Sequence, residues 1–246
     1  MSITSHDGLK LYARYIHVRD GAPLEIQFHG YKSLSVRDFS ASGLECFKEG
    51  YNLLLVDQRA HGRSEGKVIS FGINERRDCI AWVNYARARF GGGQKIVLLG
   101  ISMGAATVLM AAGDERLSGV CAVVADCPYS SQTDIIKLVA KKMHIPKWIT
   151  AVIAPIGARL FGGFSLGETT PRLAASRAKV PLLLIHGEAD DFVPCEMSKE
   201  IAESNPNIKI ETFPDAGHGF SYLVDTERYR RVVREFIAAA IEKDEN

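Results

Sequence analysis

The most informative segment of the sequence is KIVLLGISMGAATVLMAA, residues 95–112. Its apolar run Lys95–Leu99 predicts a buried β-strand, and its alanine-rich run Ala105–Ala112 predicts a helix. Between them lies Gly100–Gly104, which reads GISMG and fits the pattern G-x-S-x-G. A turn this sharp needs glycine where the two backbones converge. The segment therefore predicts that Ser102 lies at the positive end of a helix, where a developing negative charge is stabilised.

The alternation of strand and helix patterns extends along the whole chain. Ile73–Phe90 and Tyr229–Ala240 carry the spacing of amphipathic helices, and Leu9–Val18 predicts an antiparallel edge strand or hairpin. Short apolar runs that are buried on both faces are typical of parallel sheets. We therefore expect an α/β fold with a mostly parallel, doubly wound sheet and helices on both faces. The further predicted strands are Leu24–Phe28, Asn52–Val56, Val120–Val124, Pro181–Ile185 and Ile208–Phe213.

The domain organisation predicted from these elements is a single domain that covers residues 1–246. The segment between the strands at Val124 and Pro181 is far longer than a plain crossover connection needs. It contains two or three helical pieces and the pair Gly162-Gly163. We interpret residues 129–172 as a small inserted cap over one end of the sheet.

The composition excludes several classes of protein. The 246 residues include 30 basic and 29 acidic side chains, and a net charge of +1 gives no electrostatic footprint for nucleic acid. No apolar run reaches the roughly 18 residues that cross a bilayer, so we expect no stable membrane insertion. No secretory signal is visible, and the scattered cysteines predict reduced thiols in the cytoplasm rather than a disulfide framework or zinc site. These cysteines are Cys46, Cys79, Cys121, Cys127 and Cys195. The oligomeric state stays open.

A serine nucleophile needs a base, and His218 is the best candidate among the histidines. It lies in a glycine-rich loop between the last predicted strand and the final helix, and this loop can reach the end of the sheet that carries Ser102. His29 and His186 each follow a strand directly and precede a glycine, and we interpret both as making local hydrogen bonds. His61 is interpreted as a turn residue.

The base in turn needs a carboxylate that orients it, and three aspartates follow strands. Asp190 follows the strand that ends at Ile185 and is the preferred acid. The adjacent Asp191 and the residue Asp126, which follows another strand, are the alternatives. With Asp190, the order along the chain is serine, aspartate, histidine.

A tetrahedral oxyanion needs two preorganised N–H donors. The first is expected to be the backbone amide of Met103, the residue after the nucleophile. The second is expected in the loop His29-Gly30-Tyr31-Lys32, with the amide of Tyr31 as the donor. A simple tight turn is the alternative interpretation of this loop.

Taken together, these motifs resemble those of the α/β-hydrolase-fold serine hydrolases over nearly the whole chain. The resemblance is particularly to bacterial esterases and prolyl-oligopeptidase-related enzymes with a small cap. His29-Gly30 departs from the HGGG type because no further glycine follows. The matching motifs are His29-Gly30-Tyr31, Asp57–Ser64, Gly100–Gly104, His186–Asp190 and Gly217-His218.

The resemblance implies a Ser102 nucleophile, a His218 base oriented by Asp190, and an acyl-enzyme intermediate without a metal or organic cofactor. It also implies a structural role for Asp57–Ser64. The leading expectation is hydrolysis of carboxylic esters of small acyl substrates. The alternatives are a serine peptidase or amidase of the prolyl-oligopeptidase-like type and a non-catalytic binding protein with this fold.

The apolar residues of the predicted cap allow three interpretations. They line an apolar acyl or aryl pocket, they bury the cap against the body of the protein, or they touch a membrane surface. These residues are Ile145, Trp148, Ile149, Val152, Ile153, Ile156, Leu160, Phe161 and Phe164.

Overall fold

The computed structural model describes residues 1–40 and 49–245. The described residues form one eight-stranded sheet with the order β1-β2-β4-β3-β5-β6-β7-β8. β1 and β2 pair antiparallel, as do β2 and β4, and every other pair of neighbours is parallel. This arrangement confirms the predicted α/β fold with a mostly parallel sheet. The strands are β1 Ser2–Thr4, β2 Lys10–Ile16, β3 Leu24–Phe28, β4 Asn52–Asp57, β5 Ile96–Ile101, β6 Ala122–Asp126, β7 Leu182–Gly187 and β8 Ile208–Phe213.

Leu9–Val18, predicted as an antiparallel edge strand or hairpin, contains β2, which forms a hairpin with the short edge strand β1. At the opposite edge lies β8, which is only partly buried, although its apolar pattern predicted burial on both faces. Four inner strands, β4, β5, β6 and β7, extend one or two residues further than predicted at their carboxyl ends. Gly100, for example, pairs with Ala125, and His186 pairs with Thr212. Ladder pairing depends on the backbone, so it continues through residues that are not apolar.

Helices cover both faces of the sheet, as the alternation along β5 demonstrates. Ile96 and Leu98 are buried in one apolar cluster with residues of α2 and α3, whereas Val97 and Leu99 are buried in a second cluster with residues of α9. The helices are α1 Ser35–Asp38, α2 Glu75–Phe90, α3 Met103–Ala112, α4 Gln132–Lys142, α5 Ala154–Leu160, α6 Pro171–Ala175, α7 Glu196–Ala202, α8 Ser221–Val224 and α9 Thr226–Glu245. A π-helical turn, Ile149–Ile153, precedes α5.

Residues 129–172, which we call the cap segment, contain α4, the π-helical turn, α5 and the start of α6. Phe164 is the one buried member among the nine apolar residues considered above, and Phe161 is 87% exposed. Burial against the body therefore does not explain this apolar stripe as a whole. The interpretation of residues 129–172 as an inserted cap stays a prediction.

The cysteines that the structure describes are free and buried, and they are Cys79, Cys121, Cys127 and Cys195. Cys46 lies outside the described residues. Within those residues, none of the helices combines the length and apolar character needed to cross a membrane.

Candidate active site

Ser102 occupies a strained turn between β5 and α3. Its φ of 55° and ψ of −113° lie in a region that L-residues rarely adopt. A Cβ added to Gly104 would lie 1.9 Å from the carbonyl oxygen of Phe28, and one added to Gly100 would lie 2.3 Å from the backbone of Gly104. Both positions thus exclude any side chain, as the sequence pattern indicated. The turn holds the Ser102 side chain at the amino end of α3.

In the structure, His218 lies within hydrogen-bonding distance of both Ser102 and Asp190. The Nε2 atom of His218 lies 2.9 Å from Oγ of Ser102. Its Nδ1 atom lies 2.7 Å from Oδ2 of Asp190. His218 belongs to the loop between β8 and α8, and a quarter of its side chain is exposed.

The carboxylate of Asp190 is held on both oxygens. Oδ1 accepts hydrogen bonds from the backbone amides of Phe192 at 2.9 Å and Val193 at 2.8 Å. Oδ2 faces two imidazoles, His186 at 3.2 Å and His218. Burial disfavours the charged form, but the hydrogen bonds from His186 and His218 outweigh it and lower the pKa of Asp190. The ionised carboxylate accepts a hydrogen bond from the Nδ1–H group of His218, and in this tautomer the lone pair of Nε2 faces the hydroxyl of Ser102.

His186 is a fully buried partner of Asp190 whose position beside the acid was not predicted. It lies at the end of β7, and its Nε2 atom faces both Oδ2 of Asp190 and the carbonyl oxygen of Val193, at 2.9 Å from the latter. Two acceptors require that Nε2 carries a proton. Its Nδ1 atom lies 2.6 Å from Oγ of Ser198. The expected local hydrogen bonds are present, and they additionally support Asp190.

The two alternative acids, Asp126 and Asp191, do not contact Nδ1 of His218. Oδ2 of Asp126, at the end of β6, accepts a hydrogen bond from the hydroxyl of Tyr229 at 3.0 Å. Its Oδ1 atom has no partner among the described residues, and burial raises the pKa of Asp126 to about 6. Asp191 has an exposed side chain, and its backbone carbonyl accepts from Lys142. Among the three aspartates, Asp190 is the one in contact with Nδ1 of His218.

The loop that carries Tyr31 approaches Ser102 closely. A Cβ added to Gly30 would lie 3.6 Å from Cβ of Ser102. Met103 is the first residue of α3, so its amide has no partner within the helix. The hydrogen bonds of the described residues include none that the Tyr31 amide donates. Both amides suit an oxyanion, although their role stays a prediction.

Two polar side chains fix the loop at residues 30–33. Asp38 accepts hydrogen bonds from the amide of Gly30, at 2.7 Å, and from the hydroxyl of Ser33. His61 accepts at Nε2 from the amide of Lys32, at 3.0 Å. The sequence pattern assigned no such role to Asp38, and it read His61 only as a turn residue. The contact of His61 joins residues that are 29 positions apart, so no local signal could have revealed it.

Buried side chains hold the segment Asp57–Ser64 in place, in agreement with the structural role that the resemblance implied. The guanidinium of Arg59 is buried between the carboxylates of Asp78, at 2.6 Å, and Asp7, at 2.8 Å. His29 is also buried there, and it accepts at Nε2 from the amide of Gln58 at 3.1 Å. Burial lowers the pKa of His29, which is consistent with a neutral ring.

Among the described residues, one group of side chains has the donor atoms for a metal ion close together. The atoms belong to Cys127, Asp190 and His218 and lie within 4.8 Å of one another. Asp190 and His218 are already hydrogen bonded to each other. Burial raises the pKa of the Cys127 thiol well above its usual value, so the thiol is protonated and a poor ligand.

Comparisons with known proteins agree with this fold. A model of the alpha/beta hydrolase family matches residues 28–235. YqkD of Bacillus subtilis is 30% identical over 190 residues, which cover 76% of this chain and 62% of YqkD, so the chain spans about three fifths of that relative. The bifunctional esterase/perhydrolase DCH of Acinetobacter calcoaceticus is 25% identical over 88% of this chain and 92% of DCH.

A solved structure shows the same similarity in three dimensions. The Pyrococcus furiosus esterase Pf2001 superposes with a TM-score of 0.77 and is 28% identical, covering 97% of this chain and 91% of that protein. The family match extends from the end of β3 into α9 and includes every motif that surrounds Ser102. The chain therefore belongs to the α/β hydrolase family.

Proposed function

We propose that the protein hydrolyses carboxylic esters of small acyl substrates, with Ser102 as the nucleophile. The observation that carries this proposal is the pair of contacts of His218, which lies 2.9 Å from Ser102 and 2.7 Å from Asp190. Similarity to the esterases Pf2001 and DCH supports ester hydrolysis as the reaction. The four cysteines that the structure describes are free and buried, which supports the reducing cytoplasm as the compartment where the protein works.

In the first half-reaction, Ser102 Oγ attacks the acyl carbonyl while its proton passes to Nε2 of His218. The carbonyl oxygen becomes an oxyanion, which the amides of Met103 and Tyr31 stabilise. Asp190 stabilises the imidazolium and holds its Nδ1 proton. When the oxyanion collapses, the bond to the leaving oxygen breaks, and the alcohol takes the proton from His218.

In the second half-reaction, water attacks the acyl-enzyme and gives its proton to His218 Nε2. Collapse of the second oxyanion breaks the bond to Ser102, whose Oγ recovers the proton from His218. The products are the alcohol and the carboxylic acid, and every group of the enzyme returns to its starting state. Asp126 takes no part in these steps, and its side chain accepts a hydrogen bond from Tyr229 instead.

The proposal is tested by labelling the full chain with a fluorophosphonate and mapping the modified peptide. We expect one label per chain, on Ser102, and no label in Ser102→Ala. The same preparations are then assayed with p-nitrophenyl acetate and with alanine p-nitroanilide. The Ser102→Ala variant should lose about 10⁴-fold or more in kcat for the ester.

Three outcomes would contradict the proposal in different ways. Folded protein that reacts with no fluorophosphonate would support a non-catalytic binding protein. A higher kcat/KM for the anilide than for the ester would support an amidase or peptidase. Full activity in Ser102→Ala would overturn the assignment of the nucleophile.

A further inference from the structure

An open apolar groove of about 530 Å³ runs between residues 67–71 and the cap segment. This volume lies within the range of about 300–1,000 Å³ that is typical of sites for small molecules. Apart from the exposed Lys67 at its rim, the lining residues are uncharged. Its principal walls are formed by Tyr31, Ile69, Phe71, Ile136, Phe161 and Phe164.

One lining residue of this groove, Tyr31, belongs to the loop that approaches Ser102. The ring of Tyr31 stacks on the ring of Phe71, with 5.7 Å between their centroids and 16° between their planes. Tyr31 directly follows Gly30, which packs against Ser102. Phe164, another lining residue, belongs to the same buried cluster as Met103. The groove thus includes the residue of one predicted oxyanion donor, Tyr31, and through Phe164 it adjoins the buried cluster that contains the other, Met103.

The position of the groove relative to His218 identifies which half of an ester it faces. The leaving oxygen receives its proton from Nε2 of His218, so the alcohol half must lie towards that ring. The loops that carry Asp190 and His218 contribute none of the residues that line the groove. The groove is lined by Tyr31 instead, so it is open to the half that remains on Ser102.

We propose that the groove binds the acyl chain, and that the preferred substrates are esters of unbranched, uncharged acyl groups longer than butyryl. This inference rests on the proposed ester hydrolysis and adds the substrate class. Apolar walls favour methylene groups, because each methylene that leaves water contributes up to about fourfold in binding. Since the groove is open, we expect kcat/KM to rise about two- to fourfold with each added methylene.

Gly157 of α5 offers a way to block the groove without disturbing the fold. It lines the groove, and a Cβ added there meets no atom within 4 Å. Leucine is also a better helix former than glycine, so Gly157→Leu should not weaken α5. Gly92, in the turn after α2, is a matched control because an added Cβ there also meets nothing within 4 Å. Gly92→Leu adds the same apolar side chain outside the groove.

The first measurement is kcat/KM for p-nitrophenyl acetate, butyrate, hexanoate, octanoate and decanoate. In the wild type and in Gly92→Leu, kcat/KM should rise from acetate to octanoate. Gly157→Leu should keep its acetate activity within about twofold and lose about tenfold or more for octanoate. An unchanged dependence on chain length, or an equal loss for every ester, would overturn the acyl groove.

A second measurement tests the groove without turnover. Binding of p-nitrophenyl decyl ether, which cannot be hydrolysed, is followed by calorimetry in Ser102→Ala with and without Gly157→Leu. We expect the second substitution to weaken binding about tenfold or more, and equal binding would refute the groove. Loss of ester hydrolysis in the wild type, with ether binding that still responds to Gly157→Leu, would refute the proposed function and leave the groove standing.

Discussion

The neighbouring strands β6 and β7 lead to two buried aspartates that differ in their partners. Asp190, just after β7, accepts hydrogen bonds from two backbone amides and faces two imidazoles. Asp126, the last residue of β6, accepts from the hydroxyl of Tyr229 on one oxygen, and its other oxygen has no partner among the described residues. Burial disfavours ionisation of both, yet the pKa is lowered at Asp190 and raised to about 6 at Asp126. Hydrogen-bond partners, more than burial, therefore decide which carboxylate is a permanent anion.

The largest effect expected from this difference is on activity. Asp190→Asn keeps the shape of the side chain but removes the charge that selects the Nδ1–H tautomer of His218. An amide donor facing Nδ1 favours the tautomer with the proton on Nε2, which cannot accept from Ser102. We expect kcat for p-nitrophenyl butyrate to fall by about 10⁴-fold, measured at steady state with folding checked by circular dichroism.

Asp126→Asn is the matched control because it makes the same change on the adjacent strand. Its side chain contacts Tyr229 rather than Nδ1 of His218, so kcat should stay within about threefold of the wild type. If Asp126→Asn and Asp190→Asn were equally impaired, or if only Asp126→Asn were impaired, the choice of Asp190 as the orienting acid would be wrong.

The sequence predicted much of this arrangement and favoured Asp190 as the acid, but it left Asp191 and Asp126 open as alternatives. Asp190, Asp191 and Asp126 all follow buried strands, and the order of residues along the chain is compatible with each of them. The contacts that separate them come from distant elements, namely the loop of His218 and the helix of Tyr229, 103 positions beyond Asp126. The strand–turn–helix around Ser102 was predictable because its signals are local and its glycines are required by close backbone approach.

Other features were out of reach for the same physical reason. The support of the Tyr31 loop by Asp38 and His61 is tertiary, and neither residue carries a local pattern for it. The apolar stripe of the cap segment could be recognised from the sequence, but its exposure to solvent could not. Apolar spacing identifies a face without showing whether another part of the chain covers it, and Trp148 is 61% exposed.

The next largest effect concerns stability as a function of pH. The pKa of Asp126 rises from 3.8 unfolded to about 6 folded, so the folded state binds the proton more tightly between these values. The free energy of unfolding of the wild type should therefore lose about 3 kcal/mol as pH rises from about 4 through 6. Asp126→Asn lacks this titration, so its stability relative to the wild type should improve by that amount between about pH 4 and 7, as measured by urea unfolding.

Asp190→Asn should behave in the opposite way. Because the folded pKa of Asp190 is lowered, its stabilising contribution is fully present above the unfolded pKa and is lost only as pH falls below it. The stability difference between Asp190→Asn and the wild type should then be nearly flat from about pH 4 to 7, changing by less than about 0.5 kcal/mol. Parallel pH dependences in the two variants would contradict the contrast between the two carboxylates.

The smallest of these effects tests whether His186 contributes to the difference between the two aspartates. Its Nε2–H lies 3.2 Å from Oδ2 of Asp190, and its ring is fully buried. His186→Leu removes this donor, so the pKa of Asp190 rises towards its usual value and the carboxylate holds His218 less firmly. We expect kcat for p-nitrophenyl butyrate to fall about tenfold with little change in KM, because the loss acts on the transition state through His218.

A conservative variant separates positioning of Asp190 from simple packing. The amide of His186→Gln can donate to Oδ2 of Asp190, as the imidazole does, although it cannot match the contact of Nδ1 with Ser198. If His186 acts through the carboxylate, Gln should recover most of kcat while its thermal stability stays below that of the wild type. If His186 only fills space, kcat should follow thermal stability in both variants, and Asp190 would owe its lowered pKa to His218 and the backbone amides alone.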